Sequence, residues 1–413
     1  MRFVLILAVL LSTQARADII DVSPETLAQI VASANPGDTL RLSKGIYQGP
    51  VALDIPLTLQ GLPGAVIDGG GTRRVISVNA PDCVVRGLLV RNSGDRLDLM
   101  DAGIYIERTA HRARVENNHL EGNLFGVYVQ GPKDALVRNN VIIGRKDLRV
   151  NERGNGVQIW NSPGTVIEGN RISFGRDGIF STTSKHNIFR GNRFENVRFA
   201  VHYMYTNHSE ISGNVSIGNH VGYALMFSHH MKVFGNSSTN DRDHGILLNY
   251  ANNSTFRGNA VRDGGGKCVF IYNSNKNRFT ENLFSGCGIG VHFTAGSERN
   301  AITGNSFVDN ETQVKYVGTR WLEWSRNGRG NFWSDNPAFD LNGDGIADTA
   351  FRPNDMVDQI IWRAQVAKVL LTSPAVHLLR WVQSAFPGLH PGGVIDSAPL
   401  MRPAQVLETA DAN

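Results

Sequence analysis

The 413-residue chain is short of cysteine, of net charge, of membrane-length apolar runs and of helical periodicity, and each shortage excludes a class of protein. Three cysteines, Cys83, Cys268 and Cys287, are too few for the disulfide framework of a small secreted domain. Forty-one Lys and Arg against 37 Asp and Glu leave a formal net charge of +4, and near-neutrality gives no footprint for nucleic acid. The one apolar run at the start, Phe3 to Leu11, is too short to span a bilayer. With Arg2 before it and Ala15-Arg16-Ala17 after it, residues 1–17 read as a secretory signal peptide cut after Ala17, and the mature chain as periplasmic. No cysteine stands near the cut, so a lipoprotein is not expected.

What the chain has is a period. Asparagines recur at Asn118, Asn140, Asn170, Asn192, Asn214, Asn236, Asn259, Asn282 and Asn305, in steps of 22, 30, 22, 22, 22, 23, 23 and 23 residues. The one long step carries a charged insert, GRKDLRVNERG at 144–154. Fourteen residues before most of these asparagines a small residue opens a strand-like run, as in Gly126 (GVYVQ), Gly178 (GIFST), Ala200 (AVHYM) and Cys268 (CVFIY). Each unit therefore holds two or three short strands parted by Gly, Asn, Pro and Ser turns. The expected fold is all-β, a right-handed parallel β-helix over 18–318. Gly and Asn suit bends needing φ > 0, and stacked Asn side chains can form a ladder, so these positions read as structural. Upstream, SPETLAQIVASANPGD reads as a capped amphipathic helix, with Leu27, Ile30, Val31 and Ala34 covering the open end. Cys268 and Cys287 stand 19 residues apart, short of one period. They are not expected face to face, and a buried thiol role is expected ahead of a disulfide.

The period also aligns side chains. Eight residues past the strand-opening marker stand Asp134, Gly164, His186, His208, His230, Asn253 and Lys276. Three histidines on neighbouring rungs, about 4.8 Å apart, could meet one ion or simply stack as a polar ladder. Met204 and Met226 align with each other, and His229 and Met231 flank His230. Imidazole with thioether suits copper, particularly Cu(I), so these seven residues are the candidate metal ligands. His202 and His292, isolated on alternating strands, read as structural. Asp241, Asp243 and His244 could supply an acid and a base, and they motivate the alternative of a periplasmic polysaccharide lyase, epimerase or carbohydrate-binding module. No run of carboxylates repeats across the coils, however, and the cluster reads better as a solvated turn.

Past residue 318 the repeat stops. The segment 319–353 carries Asp340, Asn342, Asp344 and Asp348 at calcium-loop spacing, but Phe351 stands where the loop needs Glu, so a tight Asp/Gly turn fits better than calcium. The segment 354–413 opens with two helices broken at Ser373-Pro374. Their apolar residues, among them Ile360, Ile361, Trp362, Leu370, Leu378, Leu379, Trp381 and Phe386, exceed one helix face. Such a hairpin either caps the solenoid or docks on a partner.

Read together, the leader, the Asn coils and the tail resemble the NosD family, periplasmic β-helical proteins of nitrous oxide reductase maturation. The tail carries the likeness, in NFWSDNPAFDLNGDGIADTAFRP, SPAVHLLRWVQSAFPG and DSAPLMRP. The resemblance implies a non-enzymatic partner of an ABC transporter made of an ATPase and a permease. Such a protein takes copper from a periplasmic chaperone and hands it to the apo-reductase. It gives the hairpin a permease-docking role and assigns no metal ligands of its own.

Overall fold

The structure, a computed structural model, describes residues 17–316, 318, 320–370, 373–386 and 392–404. The leader expected at 1–17 lies outside them except for Ala17. Each unit contributes three short strands, and equal strands of successive units pair in parallel. Three sheets result: a first of 13 strands from Ile19–Val22 to Ala301–Thr303, a second of 13 from Gly45–Gln48 to Phe332–Trp333, and a third of 12 from Val51–Leu53 to Thr312–Tyr316. This is the right-handed parallel β-helix that the period implies.

Alternation along each strand sends one residue inward. In the first sheet Val115, Val137, Ile167, Phe189, Ile211, Val233, Phe256, Phe279 and Ile302 stack in one column, none more than 3% exposed. Each such side chain contributes roughly 1.5–3 kcal/mol of burial. At the bend between first and second sheets the Gly-Asn pair divides its labour. Gly191, Gly213 and Gly235 take the positive φ, at 61°, 59° and 61°. The asparagine that follows is buried and bonds along the axis. Asn192 Nδ2 donates to Asn214 Oδ1 at 3.0 Å and to Ile167 O at 3.0 Å, while its backbone N–H donates to the same Asn214 oxygen at 2.9 Å.

The first helix, α1 (Leu27–Ser33), covers the open end, with Leu27 buried and Ile30, Val31 and Ala34 packed on the core. Two details differ from expectation. A strand, Ile19–Val22, precedes α1 and pairs with Thr39–Leu42, so the helix interrupts the first rung rather than leading it. Thr26 at its N-terminus makes no side-chain cap bond; its Oγ1 accepts from Ser23 N at 3.1 Å instead.

The cysteine expectation is corrected. Cys268 and Cys287 form a disulfide, with Cα atoms 5.7 Å apart. Comparing only equal positions in successive coils hid the contact. Cys268 opens a third-sheet strand, and Cys287 stands at the corner leading into the next one, so the two meet diagonally across that corner. Cys83 is the buried free thiol, and burial pushes its pKa up.

The stack carries on past residue 318. Phe332–Trp333 pairs with Ser306–Val308, and Asn331 Oδ1 accepts from Asn305 N at 3.1 Å as one more rung of the ladder. Buried Asp396 ends it, with Oδ2 accepting from Asn331 N at 2.7 Å and from Trp333 Nε1 at 2.8 Å. Gly330 is required there, since a Cβ would lie 1.7 Å from Asp396 Oδ1. Gly393–Ile395 pairs with Trp321–Glu323, and Trp333 stacks on Phe307 at 4.4 Å, which closes the end of the core. Outside this closure lie α2 (Met356–Arg363), a 3-10 turn (Gln365–Leu370) and α3 (Pro374–Ala385). Their own small core of Val357, Ile361 and Val376 is separate from that of the solenoid.

Candidate functional site

Each coil turns from its third-sheet strand into the next first-sheet strand through a left-handed residue. That position holds Asp134 (φ 57°), Gly164 (75°), His186 (57°), His208 (50°), His230 (57°), Asn253 (54°) and Lys276 (57°). Gly tolerates this region best, and Asn, Asp and His are the other residues enriched in it. The three imidazoles are exposed and stacked. His186 and His208 have ring centroids 5.5 Å apart at 28°, and His208 and His230 are 4.7 Å apart at 6°. Near-parallel rings hold their nitrogen lone pairs parallel, so as placed they line a stripe rather than converge on one ion.

The other candidate ligands lie elsewhere. His229 is half-buried beside the stripe, its Nδ1 3.4 Å from Asn252 Nδ2. Burial, then the charges of His230 and His208, hold its pKa below the usual range, which favours the neutral form that binds metal. With His230, Asn253, Lys276, Glu298 and Arg299 it lines an open cleft of 540 Å³. Met231 drops out of the set, because it is 1% exposed within the core. Met204 and Met226 are register partners on the outer face of the third sheet, and a corner at Tyr205 (φ 54°) parts Met204 from His208. Among the described residues no three His, Cys, Asp or Glu side chains gather closely enough to hold a metal ion. A site for a soft ion therefore has to draw on thioethers.

The remaining candidates sort by their hydrogen bonds. Asp340 accepts from Gly343 N at 2.7 Å and Gly345 N at 2.8 Å, Asn342 from Asp344 N at 2.9 Å, Asp344 from Ile346 N at 2.8 Å, and Asp348 from Leu341 N at 2.8 Å. Their oxygens fold a tight turn. Asp241 is fully buried, accepting from Ser216 and Ser238 hydroxyls at 2.6 Å each and from Asn219 N at 2.7 Å. The Asp243 carboxylate pairs with His220 at 3.0 Å, and His244 Nδ1 lies against the Asp243 carbonyl rather than its carboxylate. In the hairpin Ile361 is buried and Trp362 half-buried, whereas Ile360, Leu370, Leu378, Leu379, Trp381 and Phe386 are exposed.

Two features escaped the sequence. One is an aromatic column beside the histidines, where Tyr205, Phe227 and Tyr250 stack at 5.2 Å intervals. Its signal was present, at five residues past the marker. The other is a buried constellation around His202. Its Nδ1 lies 2.9 Å from Asp177 Oδ2, and Arg198 clamps the same carboxylate with Nε at 2.8 Å and Nη2 at 2.7 Å. Burial works to raise the Asp177 pKa, but the bonds from His202 and Arg198 outweigh it and hold the carboxyl below its usual range.

The family described as "Periplasmic copper-binding protein (NosD)" matches residues 139–338. A probable ABC transporter binding protein NosD of Stutzerimonas stutzeri is 43% identical over 402 residues, 94% of this chain and 92% of that protein. One of the same description from Pseudomonas aeruginosa is 47% identical over 374 residues, 87% of each. Among solved structures, the A-module of the mannuronan C-5 epimerase AlgE6 of Azotobacter vinelandii superposes with a TM-score of 0.55 at 13% identity, over 71% of this chain and 90% of that one. The Streptococcus pneumoniae adhesin PfbA gives 0.55 at 11%, over 71% and 95%. At such identities the likeness is one of fold alone. Near full-length identity to its relatives, together with the matched coils, places this chain in the NosD family.

Proposed function

We propose that this protein is a periplasmic, non-enzymatic accessory of an ABC transporter that handles copper during assembly of the copper sites of nitrous oxide reductase. The observation that carries the docking half is the helical hairpin. The solenoid end is already closed by Trp324, Trp333, Phe351 and the strand Gly393–Ile395, so α2 and α3 are not needed as a lid. The hairpin, its 3-10 turn and the residue after α3 included, nonetheless exposes Ile360, Val366, Val369, Leu378 and Phe386 to solvent. An apolar surface of that kind fits the membrane-embedded permease, and the relatives, named as ABC transporter binding proteins, supply the transporter. The ATPase would then couple through the permease. Copper would arrive from a periplasmic chaperone and leave to the apo-reductase, with the family description as support for the metal.

The docking half is tested by replacing Ile360, Leu378 and Phe386 with Ser. The variant is expected to keep its thermal transition, because none of the three belongs to the core, and to stop co-purifying with the permease and ATPase. Undiminished co-purification would contradict it. Burial of Asp241 among its hydrogen-bond donors supports the non-enzymatic reading over polysaccharide chemistry.

A further inference from the structure

We propose that His202, Met204 and Met226 form a Cu(I) site on the outer face of the third sheet, and that Asp177 is its positioning residue. The proposal rests on the copper-handling reading above and gives it a location other than the histidine stripe.

The placement follows from strand geometry. Tyr203 and Leu225 point into the core and are fully buried, so His202 and Met204 on one strand, and Ala224 and Met226 on the next, point outward. In the parallel register His202 stands beside Ala224, and Met204 beside Met226. Adjacent strands lie about 4.8 Å apart and alternate residues of one strand about 7 Å apart. One imidazole and two thioethers therefore share a patch the width of a single ion site. Ala224, opposite the imidazole, contributes only a methyl group.

The state of His202 supplies the second observation. It is 8% exposed, and its Nδ1 is engaged by the Asp177 carboxylate, which can only accept a hydrogen bond. Nδ1 therefore carries a proton, and in the neutral ring Nε2 holds the lone pair. Nε2 is shielded from solvent and has no hydrogen-bond partner. A carboxylate behind Nδ1 with the far nitrogen free is the arrangement that orients metal-binding histidines and raises their basicity. Arg198 holds the carboxylate in turn, and the rings of Phe180 and Phe199, at 4.6 and 5.0 Å, wall the imidazole with apolar surface.

A neutral imidazole with two thioethers offers no negative charge. That donor set rejects calcium and magnesium, is poor for zinc, and suits Cu(I). The ion enters and leaves as Cu(I), so no oxidant or reductant is needed, and half-exposed thioethers allow its release to a partner.

The test is an anaerobic competition titration of the mature protein against a chromogenic Cu(I) chelator. Copper X-ray absorption of the wild-type complex accompanies it and requires no variant. Met204→Leu with Met226→Leu conserves volume on an outward face, and His202→Gln removes the imidazole; each is expected to weaken Cu(I) binding at least about tenfold. Asp177→Asn is expected to weaken it about tenfold while Cu–S scattering persists. Replacing His186, His208 and His230 together with Asn, the residue that already occupies the next rung, is expected to leave the affinity unchanged. Loss of binding in that triple variant, with only nitrogen scatterers in the wild type, would overturn this site and leave the copper reading standing. Failure of the wild type to bind Cu(I) would overturn both.

Discussion

Asn214 shows how one side chain holds a coil. Its Nδ2 donates to Phe189 O at 2.8 Å and to Asn236 Oδ1 at 2.9 Å, and its own Oδ1 receives the backbone N–H of Asn192 at 2.9 Å. Asn214→Ala strips partners from several buried groups at once and is expected to lower stability by about 3 kcal/mol in chemical denaturation. A loss below about 1 kcal/mol would show that the bend holds without its ladder. The asparagines were legible because a period exposes every residue that must recur. Their division of labour with the preceding glycine was not, since φ is no property of the letters. His202 was passed over for a related reason. Its partner Asp177 lies 25 residues back, out of step with the period, and only the strand register brings the two together.

At the level of elements, non-repeating contacts decide the ends of the molecule. The disulfide between Cys268 and Cys287 closes a short loop across a corner, and replacing both with Ala is expected to cost about 2–4 kcal/mol of stability. An unchanged denaturation midpoint would mean that the coil stacking alone holds this corner. The α2 terminus carries a pH dependence. Asp355 and Asp358 cap each other's backbone N–H groups, at 3.0 and 2.7 Å. Burial first, then the charge of Asp355, pushes the Asp358 carboxyl from 3.8 up to about 6. The folded hairpin thus holds that proton more tightly than the unfolded chain. The stability it contributes is fully present below the unfolded value near 4 and is lost as pH rises through about 6. Amide exchange of α2, corrected for intrinsic rates, is therefore expected to be slower at pH 4 than at pH 7; equal protection would contradict this. The hairpin and the tight Asp340 turn were legible from local composition. The closing strand Gly393–Ile395 was not, because nothing local marks its pairing with Trp321–Glu323 some seventy residues earlier.

As a whole the molecule is a rod with different chemistry on each side. A structural asparagine ladder runs inside one bend, imidazole and aromatic stripes run along another, and a soft-donor patch lies on the third sheet. An apolar hairpin projects beyond one closed end. In a solenoid each coil touches only its neighbours, so stability is local while the faces are continuous. The period made the solenoid legible, and the tail that breaks the period carried the family likeness. The proposed copper-handling protein would be tethered at its hairpin end to a transporter. The direct test is the copper content of nitrous oxide reductase purified from a denitrifying host that lacks this protein, with the Ile360, Leu378 and Phe386 to Ser variant supplied in a parallel strain. Copper-deficient reductase is expected in both strains, and full loading when the wild-type protein is restored. Fully copper-loaded reductase in its absence would contradict this expectation.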